Sequence, residues 1–216
     1  MRKVRNYNKL VNELLNLNIP LRIELIGYLN YDEIYPMIAF KHITKMAKKN
    51  IVIVTGQHGD EYFAVHVLIN WLKQLKLEDY SDFNFYRNSE VQELAVLFDY
   101  IPINLDLYLD VHGDTGKKSV YCYERKPDGQ KSIAEKALLE NDSVFPYERS
   151  QTIYREKVHN GVIYKPEHDR SLDDFMGNRG IAYTVTLELP KLCDGQQRMN
   201  GGIKLINSIL KNFKEK

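Results

Sequence analysis

Two histidines and two glutamates stand where apolar, strand-like runs of this 216-residue chain end. In "TGQHGDE", directly after Ile51-Val52-Ile53-Val54, His58 and Glu61 are three residues apart, and Gly56 and Gly59 permit a tight backbone path that puts both side chains on one side of the turn. His112 closes "LDLYLDVH", and Glu188 sits in "TVTLELP" before Pro190. Two histidines and a carboxylate form a recurrent catalytic zinc set that leaves a position open for water. His58, Glu61 and His112 supply that set. Such an ion makes water nucleophilic near neutral pH, but the attack still needs a base to take the proton, and Glu188 is the candidate. Blander roles exist for each residue. A His-x-x-Glu pair arises often by chance, His112 could cap a strand beside Gly113, and Glu188 could face solvent or pair with a lysine. The apolar neighbours of Glu188 argue against the last, since an unpaired buried carboxylate is costly.

These residues need strands and turns to bring them together. "LRIELIGYL" and "YPMIAFKHI" alternate around a polar "NYDE" and read as a hairpin. "NIVIVTG" reads as a buried strand followed by a helix from about Asp60 to Lys76. In "INLDLYLDVHG", Asp106, Tyr108, Asp110 and His112 share one face of a strand, and Leu105, Leu107, Leu109 and Val111 share the other. "SVYCYE" and "IAYTVTLEL" are further strands. Helices are expected over Val4 to Asn18, over "SEVQELAVLFDYI", from the Pro-Asp-Gly turn of "PDGQKSIAEKALLE", and from about Gly202 to the end, with a loop-rich stretch from Asn141 to Arg179. Strands alternating with helices imply one three-layer α/β/α domain over residues 1–216, with a mixed, mostly parallel central sheet. Ligands bind at the C-terminal ends of strands in such sheets, which is where the histidines and glutamates fall.

Composition narrows the partners. Lysine plus arginine (30) balances aspartate plus glutamate (29), which gives no electrostatic footprint for nucleic acid or an anionic membrane. No stretch approaches the roughly 20 apolar residues that span a bilayer. The basic N-terminus lacks the apolar core of a secretory signal, and Cys122 and Cys193 have no metal-ligand spacing. A cytoplasmic location and a small-molecule or peptide substrate are the expectations.

From about Leu21 to Pro190 the chain resembles the zinc carboxypeptidase superfamily, which includes carboxypeptidase A, murein-peptide amidases and the succinylglutamate desuccinylase and aspartoacylase group. "VTGQHGDE" resembles its first metal motif, "LDVHG" its second histidine, and "DDFMGNRGIAYTVTLELP" the segment carrying its catalytic glutamate. The resemblance implies one zinc ion on His58, Glu61 and His112, with Glu188 as general base. It implies Asp82 and Asp110 as partners that orient the ligands, and Asn84 and Tyr164 as substrate contacts. "SDFNFYRNSE" departs from the family's Asp-x-Asn-Arg pattern, because Phe85 stands where arginine is expected and Arg87 comes two positions late. Arg87 is the nearest arginine for a substrate carboxylate, with Arg125, Arg155, Arg170 and Arg179 as rivals. The implied activity is cleavage of an amide bond next to a free carboxylate, in a peptide or in an N-acyl amino acid. A catalytically silent relative that binds peptide or metal is the alternative.

Overall fold

The computed structural model describes residues 12–18, 21–30, 34–43, 47–56, 61–81, 83–89, 104–164 and 171–216. Ten strands are described: β1 (Arg22–Asn30), β2 (Ile34–His42), β3 (Lys49–Thr55), β4 (Phe83–Ser89), β5 (Leu107–Asp114), β6 (Tyr121–Arg125), β7 (Thr152–Ile153), β8 (Glu156–Lys157), β9 (Val162–Tyr164) and β10 (Tyr183–Pro190). The α-helices among them are α1 (Tyr62–Gln74), α2 (Ile133–Asn141), α3 (Leu172–Asn178) and α4 (Gly195–Lys214). Eight strands form one sheet in the order β1-β2-β4-β3-β5-β10-β6-β9, and β7 and β8 form a separate hairpin. The central neighbours β4, β3, β5 and β10 run parallel; β1 and β2 pair antiparallel with their neighbours, and β6 is antiparallel to β10 and parallel to β9. The architecture is α/β with a mixed, mostly parallel sheet.

The alternation in β5 and β10 sorts residues between two covered faces. Leu107, Leu109 and Val111 lie level with Tyr183, Val185 and Leu187, and all pack into one core with the apolar stripes of α1, α2 and α4. Tyr108, Asp110 and His112 lie level with Thr184, Thr186 and Glu188 on the other face. Helix α3 covers part of that second face, where Asp174 receives Arg125 of β6 at 2.5 Å. Polar residues are therefore buried on the same side as the candidate site.

Several boundaries differ from the sequence expectation. Helix α2 opens at Ser132, not at the Pro-Asp-Gly turn, because the Ser132 hydroxyl accepts the Glu135 N–H and the Glu124 carboxylate accepts the N–H groups of Ile133 and Ala134. Helix α4 starts at Gly195 under an Asp194 cap, well before Gly202. The region from Asn141 to Arg179 holds three short strands and α3. Of the leading helix only a turn at 12–15 is described, and "SEVQELAVLFDYI" lies outside the described residues apart from Ser89.

Gly113 locks α1 to β5. A Cβ built there would lie 2.2 Å from the ring of Phe63, so the ring rests directly on the strand backbone. Gly113→Ala is expected to cost about 1–3 kcal/mol of stability through overpacking. Urea unfolding checks this, and Phe63→Leu in the same chain should recover part of the loss.

Candidate metal centre

The site forms at the C-terminal ends of β3, β5 and β10. Gly56, at φ 82°, turns the chain out of β3 through a backbone region that residues with a Cβ rarely adopt. The chain is described again at Glu61, the residue that precedes α1. One carboxylate oxygen of Glu61, Oε2, accepts the Gly113 N–H at 3.1 Å and stands 3.0 Å from His112 Nδ1. The other ring nitrogen, Nε2, lies 3.2 Å from Oδ1 of Asp110. Asp110 is held in turn by the Tyr108 hydroxyl at 2.9 Å. Glu188 is the neighbour of His112 across the parallel β5–β10 pair.

Electrostatics here are lopsided. Burial works against a charged His112, yet Asp110, Glu61 and Glu188 together raise its pKa to about 11. Burial drives the Glu188 carboxyl up, His112 opposes this, and Glu61, Asp114 and Asp110 reinforce it, for a value of about 7. Three carboxylates, Asp110, Glu61 and Glu188, thus act on one imidazole, an arrangement that favours an added cation. The donor chemistry suits one. Asp110 can fix the His112 tautomer through Nε2, which leaves Nδ1 facing Glu61 as a ligand pair. Among the described residues no three His, Cys, Asp or Glu side chains by themselves form a metal-holding group. Glu61 and His112 are two of the three ligands named from the sequence, and His58 lies outside the described residues.

No protein-family model matches the chain, and no curated protein matches it. Solved structures do. A candidate metallopeptidase from Shewanella amazonensis superposes with a TM-score of 0.77 at 16% identity, over 95% of this chain and 91% of that one. The chain has the metallo-carboxypeptidase fold. A metallo-carboxypeptidase from Burkholderia cenocepacia matches with a TM-score of 0.63 at 15% identity, over 96% of this chain and 69% of its own. Carboxypeptidase A from Helicoverpa armigera gives 0.58 at 11% identity, over 97% and 70%.

Three residues named from the sequence occupy other register positions. Asn84 is level with Asn50, at the start of β3 and so at the far end of the sheet. Arg87 is level with Ile53, in the row that continues to Leu109 and not in the alternate rows of Asp110 and His112. Tyr164 is level with Glu124 and Val185, and its hydroxyl donates to Glu135 of α2 at 2.8 Å, on the opposite face. Asp82 lies outside the described residues.

The sequence analysis missed three residues that the structure does bring to this end. Asp114 accepts the hydroxyls of Tyr121 at 2.9 Å and Tyr154 at 2.8 Å, both on Oδ2, and the Gly116 N–H at 2.7 Å on Oδ1. Hydrogen bonding to Asp114, then burial, raises the Tyr154 phenol to about 12. Burial first, with Glu188 and Asp114 nearby, pushes the Tyr121 phenol far up. Asp114 continues the Asp106, Tyr108, Asp110, His112 alternation by one step, so a signal for it was present.

The raised carboxyl of Glu188 has a stability consequence. Its folded value of about 7 exceeds the ordinary 4.5, so the native state holds the proton more tightly and its advantage is complete below pH 4.5. That advantage is lost as pH rises to about 7. In metal-stripped protein, Glu188→Gln is therefore expected to gain stability relative to wild type between pH 5 and pH 8, by up to about 3 kcal/mol. Urea unfolding at the two pH values checks this, and a pH-independent difference would contradict it.

Proposed function

We propose that this chain is a zinc-dependent hydrolase that cleaves an amide bond next to a free carboxylate, with a short peptide as the first substrate class. The observation that carries the reading is Glu188 itself: a mostly buried carboxyl of near-neutral pKa, in register beside His112, on a metallo-carboxypeptidase fold. His58, Glu61 and His112 would hold the ion, with Asp110 setting the His112 ring through Nε2. An ion bound there supplies Lewis acidity toward a carbonyl and toward water. Glu188 takes a proton from the attacking water and passes it to the leaving nitrogen, a task that suits a group titrating near the working pH. Burial keeps Glu188 poised, since a solvated carboxylate would be too weak a base.

The test joins metal content to turnover. Purified wild type is expected to hold a single divalent ion and to hydrolyse members of a panel of C-terminal peptides and N-acyl amino acids. His112→Ala should lose the ion. Glu188→Gln should keep it and lose roughly 10²- to 10⁴-fold in kcat, because the amide preserves shape and removes the proton acceptor. Glu188→Gln activity within a few fold of wild type removes Glu188 from the chemistry. A preference for N-acyl amino acids over peptides would assign the deacylase branch, and an ion without turnover in wild type would assign a silent binding protein.

A further inference from the structure

Arg198 stands where helix energetics disfavour it. It lies in the first turn of α4, just beyond the Asp194 cap, where the exposed backbone N–H groups make a cation unwelcome. Half-buried there, its guanidinium meets backbone and an aromatic ring. Nη1 donates to the carbonyl of Pro190 at 3.1 Å and to that of Lys191 at 2.9 Å, and the guanidinium carbon lies 4.7 Å from the centre of the Phe63 ring. A cation set against the helix dipole and turned onto two carbonyls and an aromatic face has a task other than helix formation.

That side chain joins the two sides of the candidate site. Pro190 ends β10 two positions after Glu188, and residues 191–194 connect β10 to α4. The connector is also bonded to the chain leaving β5: the Lys191 N–H donates to the Asp114 carbonyl at 2.8 Å, and the Leu192 N–H to the Lys117 carbonyl at 3.0 Å. Phe63 belongs to the first turn of α1, two residues after Glu61. The tip of its ring, Cζ, is what a Cβ at Gly113 would strike, so the tip rests on the Gly113 backbone while Arg198 covers the ring. The Gly113 N–H in turn donates to Oε2 of Glu61. One path of contacts therefore runs from Arg198 through Phe63 and Gly113 to Glu61, and a second runs to the end of the strand that carries Glu188. Removing the guanidinium uncovers Phe63 and releases the connector, which frees the start of α1 to shift on β5. Glu61 is the first group such a shift displaces, since one oxygen makes its contacts to both Gly113 and His112.

We propose that Arg198 is a positioning residue of the metal centre: it clamps the β10–α4 connector onto Phe63 and so holds Glu61 against Gly113 and His112. The role toward a metal rests on the hydrolase reading above; the clamp itself does not.

Two measurements test this. In metal-stripped protein, the temperature coefficient of the Gly113 amide proton reads the clamp, because it is shallow while that N–H donates to Glu61 and steep once it is released. Glu61→Ala gives the released value. Arg198→Met, which keeps an apolar stem and loses the charge and the donors, should shift the coefficient at least about halfway to it. A loss of overall stability alone leaves the coefficient of the folded protein unmoved. Zinc affinity, read by competition with a chelator, should fall about ten- to a hundredfold in Arg198→Met, the range for a residue that orients a ligand without binding the ion. Arg198→Lys keeps a cation for the ring and donors for the carbonyls, and should recover most of both losses. Phe63→Leu should itself weaken zinc binding, and adding Arg198→Met to it should cost far less than Arg198→Met costs alone, because the two act along one path. An unmoved Gly113 coefficient in Arg198→Met overturns the clamp. Zinc affinity within about twofold of wild type in that variant overturns the positioning of the ligand, and additive losses overturn the route through Phe63. A shifted coefficient in a protein whose wild type takes up no zinc upholds the clamp and sinks the hydrolase reading alone.

Discussion

A single carboxylate oxygen joins the two halves of the site. Oε2 of Glu61 accepts the Gly113 N–H and faces His112 Nδ1, so the start of α1 is fixed against the end of β5. The contact requires the helix to lie almost on the strand backbone, which Gly113 permits and the Phe63 ring fills. Phe63, Ala64, Val65 and Val67 then continue into the core shared with β5 and α4. Moving the helix by a side chain's width would take Glu61 out of reach of the histidine. The packing of an ordinary hydrophobic core is in this way what sets the distance between two candidate ligands.

The second constraint is charge. The sheet face carrying Asp110, His112 and Glu188 buries far more anionic than cationic groups, and much of its polar hydrogen bonding is arranged around that excess. Tyr108 holds Asp110, Tyr121 and Tyr154 hold Asp114, and Arg125 holds Asp174 of the helix lying on that face. Hydroxyl donors stabilise carboxylates without cancelling their charge. Burial, reinforced by Glu61, Asp114 and Asp110, raises the Glu188 carboxyl to about 7, and the remaining negative potential gives a cation reason to bind at His112 and Glu61. Burial, which would be merely unfavourable elsewhere, is what tunes the group proposed as base.

Strands were legible where one face is apolar. The alternation of "LDLYLDVH" and the β-branched run "IVIV" gave β5 and β3, and the ends of those runs pointed to Glu61 and His112. Elements whose boundaries depend on distant partners were not legible. Gly202 suggested a helix start, but it and Gly201 lie inside α4, where a Cβ on Gly201 would strike Phe145 and one on Gly202 would strike Val67; they are there for close packing. Helix α3 was hidden by Asp173 and Asp174, whose burial depends in part on Arg125 from another strand. The β7–β8 turn lacks the Asn-Gly signature that announces such hairpins, so the bend at Tyr154 and Arg155 was not legible. Asn84 and Arg87 were chosen by a motif fragment alone. Such a fragment carries no strand register, which fixes both the end of the sheet and the row a residue occupies.

The most direct test of the metal centre is a crystal structure of zinc-soaked protein with data collected across the zinc absorption edge. The expected result is one strong anomalous peak about 2.0–2.2 Å from His112 Nδ1 and a Glu61 oxygen, with His58 completing the protein ligands and Glu188 nearby but not bound. A peak ligated by Glu188 in place of Glu61, or zinc only at surface sites away from His112, would contradict it.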